Sequence, residues 1–182
     1  DVRHILNMKG VDTIRRSFYR DNLSIHVINC NFDKNIWIGK CIRSKYRFNS
    51  GIVYRTTRNS TEVTASALTN MGLSAKYYHA GMKADSRRAV QTAWQQGEIK
   101  VIVATLAFGM GIDKRDVRYV IHGDIAKSLS DYYQGIGRAG RDEKESAVYM
   151  LYNKSDYRLL KRILKHSTMN ARKSKCIDKK IQ

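Results

Sequence analysis

Two hydrophobic periods alternate along the chain from Gly51 onward. Short apolar runs rich in β-branched and aromatic residues are separated by stretches in which apolar residues recur every three or four positions. The runs are GIVY (51–54), SAKYYH (74–79), IKVIVAT (99–105), VRYVIH (117–122) and AVYMLY (147–152). This alternation predicts an α/β fold in which helices cover a parallel sheet. IKVIVAT is nearly continuous in β-branched residues, so it is predicted to be a buried central strand.

The stretches between these runs predict helices. The first is predicted to open with a capping box of Asn59 and Glu62 and to end at Gly72. Its apolar positions are Val63, Ala67, Leu68 and Met71. A second helix is predicted from about Asp85 to Gly97.

The first fifty residues and the last thirty have different patterns. LSIHVINC (23–30) alternates as a half-buried strand would, and Ile38, Ile42 and Tyr46 have the spacing of one helix face. Beyond Ser155 another helix is predicted, with the apolar residues Leu159, Leu160, Ile163 and Leu164. The predicted organisation is a linker and first elements of the main domain (1–47), the domain itself (48–165) and a basic tail (166–182).

The charge balance favours a polyanionic partner. The chain has 34 Lys and Arg against 16 Asp and Glu, a formal charge of +18. Nucleic acid is the first candidate and a merely soluble basic protein the alternative. No long apolar run predicts a membrane span. The three cysteines, Cys30, Cys41 and Cys176, are widely spaced, which suggests neither a disulfide framework nor a closed zinc site and fits a reducing, intracellular compartment.

Three polar stretches are candidates for ligand chemistry, because ligands of doubly wound sheets bind beyond the carboxyl ends of the strands. Arg55, Thr56, Thr57 and Arg58 follow GIVY. Thr105, Asp113 and Lys114 follow IKVIVAT, and QGIGRAGR (134–141) precedes the last strand. All three are expected at one edge of the sheet. The alternative for each is an ordinary polar turn.

QGIGRAGR contains the spacing G-x-G-x-x-G, but its context is the reverse of a dinucleotide-binding turn. A helix with Ser128 as N-cap is predicted before it and a strand after it, whereas the dinucleotide motif needs the opposite order. The stretch instead places Arg138 and Arg141 among residues of small bulk, where two guanidinium groups could clamp phosphate oxygens. The alternative is a helix that ends in glycines, with solvated arginines.

The series GIVYRTTR, YYHAGM, VIVATLAFGMGIDKRDVRYVIHGD and YYQGIGRAGRD, in this order and spacing, resembles the C-terminal RecA-like lobe of RecQ-family DNA helicases. DVRHILNM and SFYRDNLSIHVI resemble the linker that leaves the first lobe. The resemblance implies a RecA-like parallel sheet with helices on both faces, and the second motor lobe of an ATP-dependent 3′-to-5′ DNA helicase. Implied partners are single-stranded DNA, the duplex junction and the missing first lobe, which would hold most of the ATP and Mg²⁺. It also implies DNA repair and recombination, in the nucleus of a eukaryote or the cytoplasm of a bacterium.

The resemblance implies roles for individual residues. Gln134, Arg138 and Arg141 match a motif whose arginines face the triphosphate on the other lobe, and Arg141 is the expected arginine finger. Asp113 matches an acid near the nucleotide sugar. The expected DNA contacts are Thr57, Arg58, His79, Thr105 and Lys114. For His79 a buried, hydrogen-bonded histidine is the alternative. No residue is expected to bind a metal.

Several family features are absent or altered. No G-x-x-x-x-G-K-[ST] phosphate loop and no acidic D-E-x-H box occurs, so this chain alone is expected not to hydrolyse ATP. Glu143 stands where the family has a glycine, and Asp21, Arg115 and Ala126 replace family prolines. A divergent, non-catalytic nucleic-acid-binding module is therefore the alternative function. Cys176 could be a first ligand of the zinc-binding module that follows this lobe in the family, but a free thiol is favoured.

Overall fold

The alternating pattern produces a single six-stranded sheet in the computed structural model of the chain, which describes residues 5, 7, 19–108, 113–158 and 161. The strands are β1 (Leu23–Asn29), β2 (Ser50–Tyr54), β3 (Ala75–Tyr78), β4 (Val101–Ala104), β5 (Val117–His122) and β6 (Ser146–Tyr152). The helices are α1 (Lys34–Lys45), α2 (Arg58–Asn70), α3 (Ala84–Gln95) and α4 (Leu129–Ile136).

All neighbouring strands are parallel, in the order β1-β6-β5-β2-β4-β3. In the register, Tyr54 lies opposite Ala104 and His122, so the carboxyl ends of the three central strands meet at one level. The residues that follow them therefore share one edge. The predicted parallel α/β fold is confirmed, and IKVIVAT supplies an internal, fully buried strand, β4.

Alternate residues of the strands pack against helices on opposite faces of the sheet. On one face, Val53 and Ile121 belong to a core that includes side chains of α1 and α2. On the other, Ile52 and Val120 pack with Trp94 of α3 and Ile136 of α4. The predicted face of α1 is confirmed, since Ile38 and Ile42 are fully buried and Tyr46 packs against the same core.

The predicted start of α2 is wrong by two residues. Thr57, not Asn59, is the N-cap: its hydroxyl accepts from the Ser60 amide at 3.1 Å, and the Ser60 hydroxyl accepts from the Thr57 amide at 3.2 Å. The earlier start rotates the buried face. Leu68 is buried as predicted, but Val63 is half-exposed and the polar residues Thr61 and Thr64 are buried instead.

The two ends of the chain are described in part. β1 is confirmed as a strand and pairs with β6, but it is more exposed than predicted, because it is an edge strand whose Ile25 and Val27 no described helix covers. Residues 154–158 are helical, whereas Leu159, Leu160, Ile163, Leu164 and the tail 166–182 lie outside the described residues. The predicted domain boundaries stay predictions. No helix in the described part of the chain has the length and apolarity to cross a bilayer.

Candidate nucleic-acid interface

A cleft of about 520 Å³ opens at the carboxyl edge of the sheet, beyond β2, β4 and β5. Its walls come from the segments that follow these strands and from the first turns of α4. The polar residues that line it include Arg55, Thr56, Arg58, Thr105, Lys127 and Gln134. The aligned strand ends thus bring together residues from three separate stretches of sequence.

Arg58 and Thr105, both predicted to contact DNA, face this cleft. Arg58 is exposed and forms no ion pair with any described residue, so its guanidinium is available to an anion. Thr57 differs, because its hydroxyl is used to cap α2 and to donate to the Ser60 hydroxyl at 2.8 Å. Its local role is to fix the N-terminal turn of α2, which begins with Arg58.

A buried charge network supports the cleft, and the sequence reading missed it. Asp124, directly after β5, accepts from the Thr56 amide at 2.9 Å and lies 3.5 Å from the Lys34 ammonium. Lys34 also donates to Asp156 at 2.5 Å. The Arg55 Nε lies 3.3 Å from the Asp124 carboxylate but without hydrogen-bond geometry, so that contact is an ion pair only. Two cations and two carboxylates therefore compensate one another in the interior.

His122, the last residue of β5, lines the cleft but is only 2% exposed. Its ring lies between the rings of Tyr54 and Tyr132, with centroids 5.2 and 5.1 Å away. Its Nε2 has no hydrogen-bond partner. Burial without a partner lowers the pKa of His122 to about 4, because the charged imidazolium would lose its hydration. The His122 ring is therefore uncharged at neutral pH.

The segment between α4 and β6, residues 137–145, is named here the arginine loop. The helix α4 begins at the carboxyl edge, where Ser128 accepts from the Asp131 amide as the predicted N-cap. Its 8 residues extend about 12 Å back across the sheet. The Gly140 amide accordingly donates to the carbonyl of Val117, the first residue of β5, at 2.9 Å. The prediction of one shared edge is confirmed for Gln134 and wrong for the end of the stretch at Gly140.

The two arginines of this loop differ in their ion pairs with described residues. Arg141 lies 3.2 Å from the Asp113 carboxylate and donates to the Gly137 carbonyl at 3.3 Å. Asp113 is itself 78% exposed, so their ion pair is largely solvated. Arg138 forms no ion pair with any residue in the described ranges. Burial raises the pKa of Tyr54 to about 12, and the positive charges of Arg138 and Arg141 act in the opposite direction.

Lys114 and His79 are used inside the lobe. The Lys114 ammonium is 3.0 Å from Asp116, donates to the Gln95 carbonyl at 3.2 Å and lies 5.6 Å from the Trp94 ring. It therefore secures the end of α3 and is not among the residues that line the cleft, and its DNA contact stays a prediction.

His79 is buried, accepts from the Gly81 amide at 3.2 Å on Nδ1, and its Nε2 is 2.8 Å from Glu62. Since Nδ1 is an acceptor, the ring proton is assigned to Nε2. These contacts favour the structural interpretation of His79.

The turn at the end of the arginine loop contains two residues in the left-handed region. Gly140 has φ +55° and Glu143 has φ +63°. A glycine adopts this conformation without steric cost, whereas a residue with a Cβ does not. The replacement of the family glycine by Glu143 therefore falls on a position where the backbone conformation itself favours glycine.

Two further observations bear on possible cofactors. Within residues 19–108 and 113–158 no group of three His, Cys, Asp or Glu side chains could hold a metal ion. Cys30 and Cys41 are buried free thiols, and burial raises the pKa of each, so neither is a reactive thiolate. Cys176 lies outside the described residues.

Comparison with known proteins gives a family and a set of relatives. Residues 33–143 match the model of the family described as helicase conserved C-terminal domain. The chain is 39% identical over 164 residues to the ATP-dependent helicase SGS1 of Saccharomyces cerevisiae, which covers 90% of this chain and 11% of that protein. It is 46% identical over 164 residues to the ATP-dependent DNA helicase RecQ of Pasteurella multocida, with 90% of this chain and 26% of that protein covered.

Solved structures show the same fold at lower identity. The RNA helicase Prp28 from Chaetomium thermophilum bound to ADP matches with a TM-score of 0.67 and 23% identity, covering 82% of this chain and 38% of that chain. The C-terminal domain of the DEAD-box protein Dbp5 matches with a TM-score of 0.64 and 20% identity, covering 80% of this chain and 86% of that chain. The chain thus spans only a fraction of its curated relatives, and nearly the whole of one isolated C-terminal domain.

Proposed function

Because the chain belongs to the helicase conserved C-terminal domain family and is similar to RecQ-family helicases, we propose that it is the second motor lobe of an ATP-dependent DNA helicase. It would act with a first lobe that carries the phosphate loop and the acidic box absent from this sequence. The observation that carries the proposal is the arginine loop, in which Arg138 forms no ion pair with any described residue and the ion pair of Arg141 with Asp113 is largely solvated.

The arginine loop suits a triphosphate held mainly by the other lobe. An exposed Arg–Asp pair contributes about 0–1 kcal/mol, so exchanging Asp113 for phosphate oxygens costs Arg141 little. Guanidinium groups donate bidentately to phosphate oxygens. ATP, when bound with Mg²⁺, would supply the transferred phosphoryl group, and Arg141 would donate hydrogen bonds to its equatorial oxygens as an arginine finger. Asp113 would then be released to the nucleotide sugar.

The cleft suits the phosphates of a DNA strand. Arg58, Thr105 and Lys127 offer two cations and a hydroxyl, and the N-terminal turn of α2 points backbone amides in the same region. Contacts to phosphate and not to base edges imply little sequence preference and an affinity that falls steeply with salt.

Opening and closing of the two lobes would couple these two sites. α4 joins them physically, because Gln134 lines the cleft and the same helix leads into the arginine loop. Movement of the DNA phosphates through the cleft would thus occur together with contact between Arg141 and the phosphates of ATP. Two parts of the proposal, the 3′-to-5′ direction of movement along DNA and a nuclear location in a eukaryotic cell, are supported only by the similarity to RecQ-family relatives.

The experiment is ATP hydrolysis by the complete two-lobe gene product with and without single-stranded DNA, beside Arg141→Ala. Arg88→Ala is a matched control, because Arg88 also pairs with an exposed carboxylate, Asp85, on the surface of α3. We expect DNA-stimulated hydrolysis that falls by about 10³-fold or more in Arg141→Ala and is unchanged in the control, with DNA binding retained in both.

A second function, a non-catalytic nucleic-acid-binding module, is favoured by one observation. Glu143 holds the left-handed conformation that suits a glycine, in the turn that carries Arg141. A folded two-lobe protein that binds DNA but hydrolyses no ATP would replace the motor proposal with this one.

A further inference from the structure

The arginine loop is held from outside by a residue far away in sequence. The Arg20 guanidinium donates through Nη1 to the Ala139 carbonyl at 2.9 Å and through Nη2 to the Gly140 carbonyl at 2.5 Å, across 119 and 120 residues. These two carbonyls belong to the residues between Arg138 and Arg141. A bidentate grip on them restrains the peptide planes from which both arginine side chains extend.

Asn22 adds a second grip on the same turn. Its Nδ2 donates to the Gly140 carbonyl at 2.9 Å and to the Lys144 carbonyl at 3.0 Å. Its own carbonyl accepts from the Ser146 amide at 2.9 Å, which fixes Asn22 to the start of β6. The fit is tight, since a Cβ added to Gly140 would lie 2.6 Å from the Asn22 Nδ2. The loop therefore cannot shift unless the segment 20–22 shifts with it.

We propose that Arg20 is a positioning residue for the arginine finger: its guanidinium sets the path of the Ala139 and Gly140 peptides and thereby the reach of Arg141. The inference rests on the proposed function, since it assigns Arg20 to the same reaction. Arg20 lies three residues before the start of β1, in the stretch predicted to link the two lobes. A movement of that linker is transmitted to the arginine loop through two hydrogen bonds, without passing through the core.

Arginine is the residue type that this position requires. The planar fork of its guanidinium can reach two adjacent carbonyls at once, whereas the ammonium of lysine is a single point donor with three rotatable protons. A purely structural cation would be replaced by lysine without loss. A positioning fork would not, so Arg20→Lys separates the two roles.

The test is steady-state ATP hydrolysis by the complete two-lobe protein with saturating single-stranded DNA. The variants are Arg20→Ala, Arg20→Lys, Arg141→Ala and the double variant Arg20→Ala with Arg141→Ala. A misplacement of about 1 Å costs about 10²-fold in rate, so we expect kcat to fall about 10- to 100-fold in Arg20→Ala, with Arg20→Lys in between. The KM for ATP should change less than about twofold, because the nucleotide is held mainly by the first lobe.

The double variant should be no slower than Arg141→Ala alone, within about threefold, because a misplaced finger and an absent finger remove the same interaction. The stability control is Leu68→Val, in the core on the opposite face of the sheet, compared with Arg20→Ala at temperatures of equal folded fraction. Two results would show that the role of Arg20 is merely structural. One is a decrease in kcat of the double variant equal to the product of the decreases in the two single variants, and the other is a kcat for Arg20→Ala equal to that of Leu68→Val.

The outcomes also separate the inference from the function on which it rests. A collapse in Arg141→Ala with an unchanged Arg20→Ala overturns the role of Arg20 alone. An unchanged kcat in Arg141→Ala overturns the finger assignment, and the role of Arg20 with it.

Discussion

The buried imidazole of His122 makes the stability of the chain depend on pH in a way that the structure specifies. The pKa of His122 is lowered from 6.5 to about 4 in the folded protein and returns to its ordinary value on unfolding. Between these two values the unfolded chain binds a proton that the folded protein does not. The free energy of unfolding therefore has its full value above about pH 6.5 and decreases as the pH falls towards about 4.

The size of the effect follows from the shift. Each pKa unit corresponds to 1.36 kcal/mol, so the difference between 6.5 and about 4 gives about 3 kcal/mol from this single group. A domain of this kind has a total stability of about 5–15 kcal/mol. Acidification can thus remove a fifth or more of the total stability through His122 alone.

The assay is urea unfolding of the 182-residue chain at several pH values from 7.5 to 4.5, beside His122→Gln, which does not titrate. Since the Nε2 of His122 has no partner to lose, the variant retains the fold and isolates the titration. We expect its free energy of unfolding to depend less on pH, with the difference between the two proteins approaching about 3 kcal/mol at the acid end. Parallel pH profiles, or an NMR titration of the His122 ring near pH 6.5, would refute the reasoning.

Four shorter predictions test the turn, the buried network and the cleft. Glu143→Gly should raise the free energy of unfolding by about 0.5–1 kcal/mol, because relief of the left-handed strain exceeds the entropy cost of glycine; a destabilised variant would contradict this. Gly140→Ala should lower it by at least about 1–2 kcal/mol in the same urea assay, since its φ is +55° and the new Cβ would meet Asn22. Asp124→Asn should cost about 3–5 kcal/mol on urea unfolding, because it leaves Arg55 without a carboxylate and Lys34 with Asp156 alone, and a loss below 1 kcal/mol would speak against the network. Arg58→Ala should reduce the slope of log affinity for single-stranded DNA against log salt by about 1, measured by fluorescence anisotropy; an unchanged slope would remove Arg58 from the interface.

The strands were predictable because each carries its own period, but the start of α2 was not. Two capping signals overlap in TRNSTE: Thr57 with Ser60, and Asn59 with Glu62. Both satisfy the local chemistry, and the choice is made by tertiary structure. β2 ends at Tyr54, and the amide of Thr56 in the segment that follows donates to the carboxylate of Asp124, which comes directly after β5. This hydrogen bond positions the next residue, Thr57, as the N-cap of α2.

The candidate site was predictable in part for a similar reason. The aligned ends of parallel strands bring Arg58 and Thr105 together, so the cleft follows from topology. The arginine loop was assigned to the wrong edge because the sequence gives the length of α4 but not its path across the sheet. Asp124 was missed because a lone aspartate after a strand is an ordinary turn residue until its partner Lys34 is known. That partner is brought near by the pairing of β1 with β6, which is not a local property.

The distribution of charge separates the forces that shape the cleft from those that attract DNA. The buried network contains Lys34 and Arg55 against Asp124 and Asp156, so it contributes no net charge, and the formal excess of +18 lies entirely outside it. Salt screens exposed charges over about 8 Å at physiological ionic strength but acts weakly on buried pairs. Salt therefore weakens attraction of a polyanion without loosening the network that fixes the Thr56 amide. The proposed motor lobe would require this arrangement, because it would have to release a DNA strand in each cycle while the cleft keeps its shape.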